Sequence, residues 1–297
     1  MIFIDIVLPV FLIILTGFFL AKFGSFDMRT LADIALLIFT PALVFTALLK
    51  TPDTLTMSHQ LVPFMIIYTL TMWTLAVVCG RSCGLGNDDR RALILSTAMM
   101  NVGNFGLPLA WFAFGEKGLN ISILTFVLFN LPLGTLAIYI AQGGRGDWRT
   151  SLLNITKIPI FHAVLLALLC IKMELVPPAY ILRPLELLGQ PAIPLMLILL
   201  GMQLAKTNPR VNFRFLSLAV VLRLCLAPLL AWGLTGLLDI SGIARAVVIL
   251  QTSTPSAVLP LLYSIRFNTR PDLVAGAIFI TTLLSSITLT FILYLLQ

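Results

Sequence analysis

Residues 91–115 read RALILSTAMMNVGNFGLPLAWFAFG. An apolar run long enough to cross a bilayer is interrupted at its middle by Asn101, Gly103, Asn104, Gly106 and Pro108. Proline removes a backbone donor and crowds the turn before it, while glycine permits torsions that a helix excludes. Backbone freed in this way cannot face hydrocarbon, so it must meet protein or line a cavity. A break of this kind inside a span predicts an internal site.

A second stretch answers the first. Residues 245–268, RAVVILQTSTPSAVLPLLYSIRFN, carry Pro255 and Pro260 among Gln251, Thr252, Ser253, Thr254 and Ser256. A shift of 152 residues lays Pro108 on Pro260, Asn104 on Ser256, Asn101 on Ser253 and Gly103 on Pro255. The stretch from Arg29 to Leu49, with Pro41, parallels in the same way Arg183 to Ala205, with Pro191 and Pro194. Proline and glycine are common in membrane helices, which would explain one such pair; two pairs in the same order are harder to dismiss. Paired interrupted segments in two inverted halves are the sequence mark of secondary transporters.

Composition agrees. Of 297 residues, 59% are hydrophobic and 10% charged, with a mean hydropathy of +1.05. A soluble domain carries about 25% charged residues. Ten apolar spans are expected, near 3–22, 30–49, 59–79, 91–113, 119–141, 158–173, 181–205, 213–238, 242–263 and 272–296. The expected fold is all-α: ten transmembrane helices as an inverted five-plus-five repeat, with helices 4 and 9 broken and crossed. Residues 1–141 form the first repeat, 142–157 a short cytoplasmic linker and 158–297 the second repeat. No basic residue precedes the first apolar run and no small-residue cleavage site follows it, so it reads as a retained span.

The net charge of +7 lies in the gaps between spans, which argues against a nucleic-acid partner and for membrane orientation. The odd-numbered connections hold Lys22, Arg29, Arg81, Arg90, Arg91, Arg145, Arg149, Lys157, Lys206, Arg210, Arg214, Arg266 and Arg270, 13 basic residues. The even side holds five, Lys50, Lys117, Lys172, Arg183 and Arg245. Basic connections stay cytoplasmic, so both termini are expected outside a cell membrane. Cys79, Cys83, Cys170 and Cys225 lie in or beside apolar runs with no zinc-type spacing, and no metal or cofactor is expected. Asp88 and Asp89, in NDDRR, read as a cytoplasmic turn with local ion pairs. The motifs of hydrolases, metalloproteases and P-loop enzymes do not occur, and no enzyme is expected.

If the two breaks cross near the midplane, two helix N-termini converge there, and their partial positive charge suits an anion. Asn101, Asn104, Ser253 and Ser256 are the candidate substrate-binding side chains, with Gly103, Gly106, Pro108, Pro255 and Pro260 as the helix breakers. Thr40, before Pro41, and Asn130, within FNLPLG, are polar enough to line the same cavity, although packing roles are simpler. Arg223 lies nine residues past Arg214, about 13 Å along a helix, too deep to snorkel. Intramembrane cations mark functional paths or find carboxylates. Arg223 therefore either draws an anionic substrate or pairs with an acid such as Asp5 or Asp33.

At NVGNFGLPLAWFAFG, and at VLPVFLIILTGFFLAKFG near the start, the chain resembles the auxin efflux carrier family, which includes plant PIN proteins and many bacterial permeases. The wider group joins the bile acid, arsenite and riboflavin transporter types. The resemblance runs over essentially the whole length. It implies a five-plus-five inverted fold, scaffold and transport subdomains drawn from both repeats, elevator-type alternating access and organic-anion substrates. In PIN proteins an Asn at the crossover helps hold the substrate carboxylate, and Asn101 and Asn104 match it. The short linker departs from the long cytoplasmic loop of plant members. Bacterial relatives imply small mono- or dicarboxylates such as malonate, malate or oxalate. Proton or sodium coupling and a homodimer stay open, as do a carrier of larger amphipathic acids and a non-transporting sensor.

Overall fold

The computed structural model describes all residues except 144–155, 157, 208–211 and 297. Among the described residues the regular structure is entirely helical. In chain order the helices are α1 (Phe3–Phe23), α2 (Met28–Lys50), α3 (Ser58–Ser82), α4 (Asn87–Thr97) and α5 (Val102–Ala141). They continue as α6 (Pro159–Lys172), α7 (Ala179–Lys206), α8 (Phe213–Leu237), α9 (Gly242–Thr252), α10 (Leu259–Arg266) and α11 (Pro271–Leu296). Seven of these, α1, α2, α3, α5, α7, α8 and α11, are long and apolar enough to cross a membrane. The linker expected at 142–157 and the basic residues Arg145, Arg149, Lys157 and Arg210 fall largely or wholly outside the described residues.

Several helices owe their ends and bends to identifiable residues. Asp27 caps α2, accepting from the amides of Arg29 and Thr30. The Thr30 hydroxyl also donates to it, and these bonds hold the Asp27 carboxyl below its ordinary range. α5 is one apolar stretch of 40 residues, but Gly115 inside it has φ 62° and ψ −152°. That conformation is open to glycine and costly for other residues, so the helix axis breaks there. α7 turns at Gln190 and Pro191, between segments Ala179–Gly189 and Ala192–Lys206. Wide π turns occupy Phe3–Val7, Ala35–Phe39, Val102–Gly106 and Val221–Leu226.

The most extensive helix contacts fall within two groups, which meet where the start of α5 packs on α7 and the start of α1 packs on α5 and α11. α1 lies against the second segment of α7, and α2 lies against α6 and the first segment of α7. α9 packs on α5 and α8, α4 on α3 and α11, and α10 on α5 and α11. The α1–α7 seam is close because glycines face backbone across it. A Cβ on Gly17 would overlap the Ile198 backbone, and one on Gly201 would overlap the backbone of Ile14 and Phe18. Near the α4 N-terminus, Arg270 pairs with Asp89 and Asp272, Arg91 donates to the Gly143 carbonyl, and Thr269 donates to the Ala141 carbonyl. These contacts tie the start of α4, the end of α5 and the start of α11 together.

Candidate functional site

The two interrupted stretches meet. α4 stops at Thr97 and α9 stops at Thr252, and the segments that follow them run antiparallel, with Met100 opposite Ser256. The Asn101 amide donates to the Pro255 carbonyl at 2.9 Å, and the Ala257 amide donates to the Met99 carbonyl at 2.9 Å. Each break thus satisfies backbone groups that helix and lipid both deny it. Beyond the crossing α5 begins at Val102 and α10 at Leu259. Two helix C-termini and two helix N-termini therefore flank one short backbone pairing. Glycine admits the close approach on the α5 side: a Cβ on Gly106 would overlap the Gln251 amide, and one on Gly103 would come within 2.8 Å of the Phe126 ring.

Arg223 lies on the π turn of α8 and is fully buried. Its Nε donates to the Thr254 carbonyl at 2.8 Å and its Nη2 to the Thr252 carbonyl. Its Nη1 donates to the Thr97 carbonyl at 3.0 Å and to the Tyr68 hydroxyl at 3.2 Å. The Tyr68 hydroxyl in turn donates to the Thr252 carbonyl at 3.2 Å, and its ring stacks on Phe64. The Thr97 and Thr252 carbonyls close their respective helices, where the macrodipole leaves partial negative charge. Among the described residues no carboxylate pairs with Arg223, so neither Asp5 nor Asp33 is its partner. Four of its five N–H groups thus bond backbone carbonyls and Tyr68 around the crossing. Of the two roles expected from sequence, the pairing with an acid is therefore not what holds it.

The other candidates divide by what their polar atoms already hold. Ser256 donates to the Ser96 carbonyl at 2.5 Å and receives a bond from Thr281 at 3.1 Å. Ser253 donates back to the Ile249 carbonyl at 2.6 Å, and the Asn130 amide back to the Phe126 carbonyl at 2.7 Å. These three are bonded inside the protein. Asn101 differs: its side-chain nitrogen is buried with no hydrogen-bond partner, at the entrance to α5. Thr40 Oγ1 is buried and unpartnered as well, and Asn104 is half-buried on the π turn. Pro108 opens the regular part of α5, Pro260 sits in the first turn of α10, and Pro255 carries the carbonyl that Asn101 binds.

Several participants stood outside the candidate substrate-binding residues read from sequence. Tyr68 comes from α3, and Thr97 and Thr252 end their helices alike, each hydroxyl donating to the carbonyl four residues back, Leu93 at 2.7 Å and Val248 at 2.8 Å. Gln251 donates to Ser122, while its Oε1 is buried without a partner. The available signal was the demand itself: two helices ending inside a span leave carbonyls that some donor must reach. Among the described residues no cluster of His, Cys, Asp or Glu has metal-holding geometry.

Long apolar helices around a buried polar crossing define a multi-pass membrane protein. A family model described as membrane transport protein matches residues 2–147 and 145–293. The chain belongs to that family, which is the one of the auxin efflux carriers. It is 32% identical to an uncharacterized transporter of Methanothermobacter thermautotrophicus, over 96% of this chain and 95% of the relative. It is 27% identical to an uncharacterized transporter of Methanocaldococcus jannaschii, over 95% and 94%.

Proposed function

We propose that the protein is a secondary carrier of a small organic anion, a mono- or dicarboxylate, bound where the two breaks meet. The observation that carries this reading is the Asn101 side-chain nitrogen, a buried donor without a partner at the start of a helix. An unsatisfied buried donor costs about 1–3 kcal/mol, a cost that a bound acceptor removes. The N-terminal turns of α5 and α10 add dipoles of the same sign. Asn104 and Thr40 are the further candidate contacts.

The same reading takes ten crossings arranged as an inverted five-plus-five repeat. Its support is α5, whose 40 residues would span about 60 Å as one helix, twice the hydrocarbon core. Division at Gly115 gives two crossings, the first of them completed by α4. α6 and the α9–α10 pair supply the remaining two beyond the long helices. The two packing groups suit a scaffold (α1, α2, α6, α7) and a moving unit (α3–α5, α8–α11), an elevator in plan. In this reading the carrier sits in the cell membrane with both termini outside.

A thermal-shift screen of the purified protein against a carboxylate panel, followed by uptake into proteoliposomes, tests the function. A ligand at 100 times its Kd stabilises a protein by about 2.7 kcal/mol, so a true substrate raises Tm and then accumulates in the vesicles. No shift with any carboxylate, or binding without accumulation, defeats the proposal.

A further inference from the structure

We propose that Arg223 is a permanent cation for the helix crossing, seated in an oxygen cage of the kind a coupling sodium ion would otherwise fill. The inference concerns the crossing alone and stands whichever solute the protein carries. Four oxygens converge on the guanidinium: the carbonyls of Thr97, Thr252 and Thr254 and the Tyr68 hydroxyl. Three of these are backbone carbonyls at or just past the ends of interrupted helices. Unwound carbonyls and half-helix C-termini are where secondary transporters coordinate sodium, and hard oxygen donors without nitrogen or sulfur suit alkali and alkaline-earth ions. Here the positive charge is supplied covalently, on a neighbouring helix.

The cage is closed. Arg223, Tyr68 and Thr252 have no solvent exposure, and Thr97 and Thr254 have none either. Arginine stays charged under all ordinary conditions, so the two negative helix ends are neutralised continuously, with no ion to load or release. Removal of the side chain alone would leave three converging carbonyls and a phenol around an empty space. That space has the chemistry of a monovalent-cation site. The crossing should therefore need no sodium in the native protein and should acquire a need for a cation once Arg223 is truncated.

The test uses purified protein with Tm as the readout, in sodium chloride or choline chloride at equal ionic strength. The native chain should melt at the same temperature in both. Arg223→Ala should melt several degrees lower in choline and recover at least half the loss in millimolar guanidinium, with sodium giving a smaller recovery. Arg223→Lys should keep most of the native Tm, whereas Arg223→Gln, which offers donors without charge, should not. A sodium-specific stabilisation of the native protein overturns the proposal, as does an Arg223→Ala protein that neither salt nor guanidinium restores. If Arg223→Ala cannot be purified, the Lys and Gln variants still decide: equal melting temperatures would mean that charge is not what the cage requires.

Discussion

At the scale of single residues, Asn101 and Arg223 show what a sequence reveals and what it hides. Asn101 stood out because a polar residue beside two glycines and a proline has no reason to sit in an apolar run. Its backbone is paired across the crossing while its side-chain nitrogen is left free. Asn101→Ala should therefore fold normally and bind carboxylate at least ten-fold more weakly, since a bond to a charged group is worth about 1.5–3 kcal/mol. Titration of the variant by calorimetry measures this, and unchanged affinity would move the site elsewhere. Arg223 was equally visible as a buried cation, but the sequence suggested a charged partner. Its actual partners are mostly carbonyls, which every residue possesses and no sequence marks. Ser253 and Ser256, also read as candidates, donate their hydroxyls to the Ile249 and Ser96 carbonyls.

At the scale of elements, prolines wrote much of the geometry. Each π turn is followed by a proline two residues past its end: Pro9, Pro41, Pro108 and Pro228. A proline offers no N–H and its ring displaces the carbonyl four residues earlier, so the ladder ahead of it widens to the next acceptor. One of these widened turns carries Arg223 and another carries Asn104. Proline alone is not enough, since Pro63 and Pro184 lie inside helices without such a turn. The helix ends that precede the two breaks, Thr97 and Thr252, lie 155 residues apart (252 − 97), three more than the shift of 152 read from the prolines. The α1–α7 seam was not legible, because small residues that permit contact look the same as small residues that face lipid. Gly201→Ala should lower stability by about 1–3 kcal/mol through overpacking against Ile14. Gly236→Ala, with nothing within 4 Å of the added carbon, should stay within about 0.5 kcal/mol of native. Denaturation in one detergent compares them, and equal losses would mean the seam is looser than its geometry.

At the scale of the whole molecule, composition announced a membrane protein, and the charge pattern bears on the orientation proposed for it. In the proposed plan of ten crossings, basic residues gather on the side that holds residues 142–157, and such connections remain cytoplasmic. A cysteine at Gly144 should resist an impermeant maleimide in intact cells and react after permeabilisation; labelling from outside would invert the arrangement. The crossing also has a consequence for how the chain is made. The carbonyls of Met99 and Thr97 and the amide of Asn101 find their partners on Pro255, Ala257 and Arg223. A ribosome working at about 5–20 residues per second needs roughly 6–30 s to travel from one set to the other. Through that interval the nascent first break holds backbone groups that the lipid cannot satisfy. A chain truncated after residue 141 lacks every one of those partners and should be degraded faster in cells than the full-length protein, which a pulse-chase comparison measures.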